Sequence, residues 1–288
     1  MAQSPSHKFG QIIGDLLESV MEVYLVPIAR EYDLYLDKKE PREARGGKKE
    51  VIWIDIKGNK HKLDFVFERN GTKKRVGDPV AFIEIAWRRY KKHSKNKAQE
   101  IQGAITPLIE KYSQFSPFYG CTIAGEFTKP SIVQLVSHGF KVVYFPYETI
   151  INAFNEVGVD AYWEENTSEE ELQKKVDKFY TLNEKEISEI VDHLLESNEK
   201  ELRFFSDRLR ASITRHVTKV RVYSLHGVLK EVESIEEAIQ YVTEYDEQST
   251  EVPILKYEIK IVYNNGDQIE AAFRERSQAI KFLRDYLT

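Results

Sequence analysis

Two acidic side chains interrupt segments that are otherwise apolar. Asp64 breaks the run Leu63–Phe67, and Glu84 breaks Phe82–Ala86. A carboxylate in such a setting is costly, because desolvation disfavours its charge. Two of them on neighbouring strands ask for a shared partner. A divalent cation is one answer, since Mg²⁺ is held by one or two carboxylates together with waters and substrate phosphates. A local ion pair at the sheet end, with Lys62 for instance, is the other, and position alone leaves both open. Directly after the second acid comes Arg88–Lys97 (RRYKKHSKNK), six of whose ten residues are cationic, with Tyr90 and His93 interleaved. Phosphates gripped there would lie beside the acids. Six neutralised phosphates would give a log–log salt slope of about −5. A solvated loop that only aids solubility is the plainer alternative.

The elements that must position these residues are legible. A helix is predicted over Phe9–Pro27 from Ile12, Ile13, Leu16, Leu17, Val20, Val23 and Tyr24, with Pro27 closing it. Glu18 and Glu22 share one of its flanks. The polar stretch from Asp33 to Glu50, with Gly46 and Gly47, reads as a mobile basic loop. Glu50–Ile56 and His61–Glu68 read as strands around a hairpin turn at Lys57-Gly58-Asn59-Lys60. Val80–Trp87 has the continuous apolar character of a strand buried on both faces. A helix over Lys95–Phe115, a strand near Tyr119–Ala124, a short helix near Ser131–Ser137 and a strand at Phe140–Phe145 complete an α/β layer with a mixed sheet. Trp53 and Trp87 alternate within strands and are assigned to the core.

The second half is different. Asn183–His216 reads as one long helix with a stripe of Ile187, Ile190, Leu194, Leu202, Phe205, Leu209 and Ile213. That stripe packs either on its own domain or in a dimer seam. Residues 217–288 repeat a strand–strand–helix unit of roughly 40 residues. The first copy is Lys219–Glu233 with the helix Ile235–Tyr245. The second is Tyr257–Phe273, turning at Asn265-Gly266, with the helix Ser277–Leu287. A small four-stranded α+β domain with two helices on one face is expected.

Charge divides along the same lines. Residues 1–147 carry 24 cations and 17 anions, a net of +7, and 19 of those cations lie in 38–97 against 8 anions. Residues 148–216 carry 9 and 17, and residues 217–288 carry 9 and 13. The first part is therefore suited to a polyanion and the acidic helical part is not. No run of about 18 apolar residues is present, so no membrane segment is expected. A single cysteine, Cys121, excludes an intramolecular disulfide or thiolate cluster, and a cytoplasmic setting is expected. The histidines lack metal-ligand spacing, and no phosphate-binding glycine loop, nucleophile elbow or kinase signature occurs.

Asp64, nineteen intervening residues, then Glu84-Ile85-Ala86 resembles the PD-(D/E)XK nuclease superfamily. The order of elements over 9–145 also matches that family's core, with the Asp on its second strand and the Glu on its third. Type II restriction endonucleases are the nearest members in size and layout. The resemblance implies a restriction-endonuclease-like mixed sheet flanked by helices. It also implies metal-dependent hydrolysis of phosphodiester bonds in double-stranded DNA. Asp64, Glu84 and the carbonyl of Ile85 would hold Mg²⁺, which Mn²⁺ can replace, with Glu18 as a further acid near the metal. Two positions depart from the family. Leu63 replaces a frequent proline. Ala86 replaces the lysine that orients the attacking water, and alanine cannot do that work. Lys62, Lys91, Lys92, Lys95 and Lys97 are available as migrated amines, with Gln99 as a further polar candidate. Lys62, Lys95 and Lys97 are assigned to the catalytic set. Arg88, Arg89, Lys91, Lys92, His93, Lys95 and Lys97 are expected to contact DNA.

The expected organisation is a catalytic domain over 1–147, a helical region over 148–216 and a duplicated ββα domain over 217–288. Cutting both strands needs two sites, so a homodimer is expected, with the long helix as its candidate interface. Two rival functions stand beside the endonuclease. One is a nuclease-like DNA-binding protein disabled at Ala86. The other is a protein-interaction scaffold whose basic segment only confers solubility.

Overall fold

The computed structural model describes residues 4–248 and 254–287. The chain divides into two compact units, Met1–Arg210 and Ala211–Thr288. Of the helical region expected over 148–216, residues 148–210 fall in the first unit and 211–216 in the second.

The first unit is mixed α/β, with helices flanking a mixed sheet. Helix α1 (Pro5–Glu31) starts at Ser4, whose hydroxyl accepts from the His7 N–H, with Pro5 just inside its start. Its buried face runs from Phe9 through Leu16, Leu17 and Val20 to Ile28 and Ala29. Pro27 does not close it. The proline forfeits one backbone hydrogen bond, but burial of Leu25, Ile28 and Ala29 carries the helix through. Five strands follow in the main sheet: β1 (Tyr35–Lys38), β4 (Phe65–Arg69), β5 (Asp78–Arg88), β6 (Phe118–Gly125) and β7 (Lys141–Pro146), in the order β1-β4-β5-β6-β7. β1, β4 and β5 pair antiparallel, while β5, β6 and β7 run parallel. Between β1 and β4 lies a separate two-stranded hairpin of β2 (Val51–Ile54) and β3 (Lys60–Leu63).

Two expectations fail here for identifiable reasons. The predicted strand His61–Glu68 is two strands, broken at Asp64: β3 pairs with β2, and β4 pairs with β1 and β5. The stretch Asp33–Glu50 is no mobile loop. It contains β1 and a 3₁₀ turn at Glu43–Arg45, and it is pinned by Arg42. The Arg42 guanidinium is fully buried, donates to both carboxylate oxygens of the equally buried Glu68 (2.6 and 2.8 Å), and pairs with Asp37 at 2.8 Å. It also donates to the carbonyls of Thr72 and Arg75. Such bidentate pairs are favourable only when every remaining donor is satisfied, as here.

Helix α2 (Ser94–Lys111) covers one face of the sheet, burying Ala98, Ile101, Ile105 and Leu108 against Val66, Phe82, Ala86 and Cys121. Trp53 joins that core, its ring 5.5 Å from Phe82. Trp87 is half-buried beside Tyr147 and Trp163. Helices α3 (Lys129–Ser137), α4 (Tyr147–Asn155), α5 (Glu169–Phe179), α6 (Glu184–Ser197) and α7 (Glu199–Ile213) follow. The single long helix predicted over Asn183–His216 is thus two. The break is Asn198, a buried residue whose side-chain amide donates to the Tyr144 carbonyl at 2.7 Å. That bond draws the chain toward β7 and competes with helix continuation. The apolar stripe is spent inside the unit, with α6 against α1 and α4 and the Phe205 ring 5.2 Å from Phe118. The dimer seam expected there therefore lacks its apolar surface.

The second unit matches the duplicated pattern. β8 (Val217–Ser224), β9 (Val228–Val232), α8 (Ile235–Glu244), β10 (Tyr257–Tyr263), β11 (Gln268–Phe273) and α9 (Arg276–Arg284) form an antiparallel sheet in the order β11-β10-β8-β9. Its core joins Val220, Val222, Ile259 and Ile261 to Ala238, Val242, Ala279 and Leu283 of the two helices. Among the described residues no helix is long and apolar enough to cross a membrane.

Candidate active site

Register brings the two acids together. Phe65 pairs with Ile83 across the antiparallel β4–β5 ladder, so Asp64, one residue earlier, falls opposite Glu84. Residues directly opposite share a face and approach within reach of one another. Asp64 sits at the bend where the chain leaves the β2–β3 hairpin for the main sheet, and its Oδ2 accepts the Ile85 N–H at 2.6 Å. In return, the Asp64 backbone N–H acts on the Glu84 carboxylate. A strand residue's N–H and C=O face the same neighbour, so the Ile85 carbonyl also lies on the Asp64 side.

The electrostatics are those of a pair lacking its counter-charge. Burial, then the charge of Asp64, push the Glu84 carboxyl well above the usual carboxylate range. Burial raises Asp64 as well, against the Ile85 N–H and the ammonium groups of Lys97 and Lys39. Glu84 is 8% exposed, and its Oε1 is buried without a hydrogen-bond partner. A proton or a cation relieves the repulsion in such a pair.

Among the candidate amines, Lys97 is the one the fold delivers. It projects from the second turn of α2, the helix packed on the sheet face that carries Glu84 and Ala86, and its charge lowers both acids. Ala86 itself is buried against α2. The fold thus sets a helix-borne ammonium, not a strand-borne one, where its charge acts on both acids. Lys62 is not near: its side chain is 70% exposed on β3 and pairs with Glu50 at 3.7 Å. Lys95 is exposed. The Glu18 carboxyl is raised by burial and by Asp64, and among the described residues no group of three or more acidic, histidine or cysteine side chains is placed to hold one metal ion. The donors available are two carboxylates and the Ile85 carbonyl. That set suits Mg²⁺, which keeps several waters, and the partnerless Glu84 Oε1 is an oxygen that needs such a ligand.

The cationic stretch is largely compensated from within. Arg89 is the clearest correction, because its guanidinium donates to the Trp163 carbonyl (2.7 Å from Nε) and lies 4.2 Å over the Tyr147 ring. It is a structural tie, not a surface contact. Lys91 pairs with Glu126 at 3.2 Å, Lys92 with Glu165, and both Arg88 and Lys97 with Glu100. His93 is exposed at the start of α2. Two participants escaped the sequence. Lys39, 3.8 Å from Glu18, lies in the stretch whose composition reads as a loop. Glu100 was visible only as a Lys97 partner three residues on.

No family model matches the chain, and no curated protein does. A solved protein of unknown function, AF1548, aligns with 12% identity over 69% of this chain and 94% of that chain at a TM-score of 0.31. That likeness is too loose to carry an argument about fold or function.

Proposed function

We propose that the first unit is a metal-dependent DNA endonuclease of restriction type with a PD-(D/E)XK-like core. The observation that carries this is the convergence of Asp64 and Glu84 in register, with the Lys97 ammonium acting on both. Asp64, Glu84 and the Ile85 carbonyl would hold Mg²⁺ or Mn²⁺, which lowers the pKa of bound water and neutralises charge gathering on phosphate oxygens. Lys97 orients the attacking water and stabilises negative charge developing on the phosphate oxygens. Burial and the Asp64 charge raise the Glu84 carboxyl, so a proton there would compete with the cation. Lys91, Lys92, Lys95 and His93, all exposed, supply the contacts to the DNA backbone. A homodimer is needed for double-strand cutting, through a surface other than the α6–α7 stripe.

The test is incubation of plasmid and linear duplex DNA with the full chain and Mg²⁺ or Mn²⁺, beside Asp64→Asn. Nicking or cutting by wild type and not by the variant is expected, with Mn²⁺ raising the melting temperature of wild type only. Salt-sensitive binding without cutting, unchanged in Asp64→Asn, would replace the endonuclease by a DNA-binding protein. Absence of both binding and cutting would favour the interaction scaffold.

A further inference from the structure

We infer that Arg88 and Lys97 form a clamp for a DNA phosphodiester, and that the Glu100 carboxylate occupies this clamp in the free protein. The ligand's identity rests on the nuclease reading; the clamp rests on geometry. One oxygen, Glu100 Oε2, lies 3.4 Å from an Arg88 terminal nitrogen and 3.3 Å from Lys97 Nζ. The two cations arrive from different elements, the end of β5 and the second turn of α2, so their convergence is a product of the fold. They are held from inside. Arg88 also donates to the Trp87 carbonyl at 2.8 Å, and the two side chains are 33% and 20% exposed. The anion between them is the outer partner, 58% exposed.

A guanidinium and an ammonium converging on one anionic oxygen are what a phosphodiester requires, the Arg fork taking one oxygen and the Lys acting as a point charge. Glu100 holds that place weakly. Long, exposed ion pairs contribute little, so a phosphate displaces the carboxylate readily. The same Lys97 ammonium acts on Asp64 and Glu84. A phosphate seated in the clamp is therefore the one next to the acid pair. The Lys91–Glu126 and Lys92–Glu165 pairs of the same stretch are one-to-one contacts and lack this convergence.

The measurement is fluorescence anisotropy of a labelled duplex DNA with the full chain in EDTA, which removes cleavage. Wild type, Glu100→Gln, Arg88→Gln, the double variant and Glu110→Gln are compared. Glu110 is exposed on the same helix and controls for the general gain from losing an anion. Glu100→Gln should tighten binding about fivefold, the effect of one unit charge about 4 Å away under solvent-like screening. Glu110→Gln should change it less than about twofold, and the Glu100→Gln gain should fall by half or more in the Arg88→Gln background, where only Lys97 is left to release. A gain no larger than that of Glu110→Gln, or one undiminished without Arg88, overturns the clamp. Cleavage is scored separately with Mg²⁺. Cutting without the Glu100→Gln gain sinks only the clamp, whereas the gain without cutting sinks only the nuclease.

Discussion

Replacing Lys97 by Met tests whether the helix supplies what the strand lacks. The methylene stem of Lys97, a side chain only 20% exposed, is retained by Met, so packing on α2 changes little while the charge is lost. A single preorganised electrostatic group contributes about 10²–10³ in rate, or roughly 3–4 kcal/mol of barrier. Lys97→Met should therefore slow single-turnover DNA cleavage by that factor, with DNA affinity falling less than about tenfold. The same loss raises both acids further, because Lys97 is a cation that lowers Asp64 and Glu84. The pH at which Mn²⁺ begins to stabilise the protein should accordingly move upward. Ala86→Lys on the Lys97→Met background should restore part of the rate, since Ala86 shares the Glu84 face, at about 1–3 kcal/mol of overpacking. Lys62→Met and Lys95→Met serve as controls. Full cleavage by Lys97→Met, with activity lost instead at Lys62 or Lys95, would refute the assignment.

Other expectations concern stability. The folded Glu84 carboxyl is raised by burial and by Asp64, so the folded state binds the extra proton. Its stabilising contribution is complete below the unfolded value of about 4.3 and is lost as pH rises through the folded one. Metal-free protein should thus lose melting temperature above the ordinary glutamate range. Glu84→Gln should flatten that loss, each unit of raised pKa being worth about 1.36 kcal/mol; a wild-type profile with no such fall contradicts the buried pair. Arg42→Met strands the buried Glu68 carboxylate and should cost about 3–5 kcal/mol, or roughly 10 °C in thermal melts. Arg42→Met/Glu68→Leu should recover much of that loss, and equal melting of the single variant and wild type would show that the cluster contributes nothing.

Much of this was legible because it is carried by periodicity. The stripes of α1 and α2, the apolar run of β5 and the doubled hairpin–helix pattern of residues 217–288 each identify an element and its buried side. The out-of-place acids were legible for the same reason, since a carboxylate stands out only against an apolar repeat. What escaped depended on distant partners. Arg42 looks like any loop cation until Glu68, Asp37 and two carbonyls close around it. Asn198 looks helical until the Tyr144 carbonyl claims its amide. Arg89 and Lys97 are indistinguishable as letters in RRYKKHSKNK. One is locked under Tyr147 and Trp163 while the other faces the acids, a difference set by the strand-to-helix turn between them.

The bend at Asp64 makes a single residue the hinge pin between two ladders. Its position opposite Glu84 depends on the pairing of Leu63 with Val51 below it and of Phe65 with Ile83 above it. Slippage of either ladder by one residue would turn the carboxylate toward the wrong side. The hairpin tip is stiffened by Asp55, which accepts the N–H groups of Lys57 and Asn59, both at 2.8 Å, and meets His61 Nε2 at 2.9 Å. The brace at the tip and the two ladders at the base therefore bear on the placement of one carboxylate.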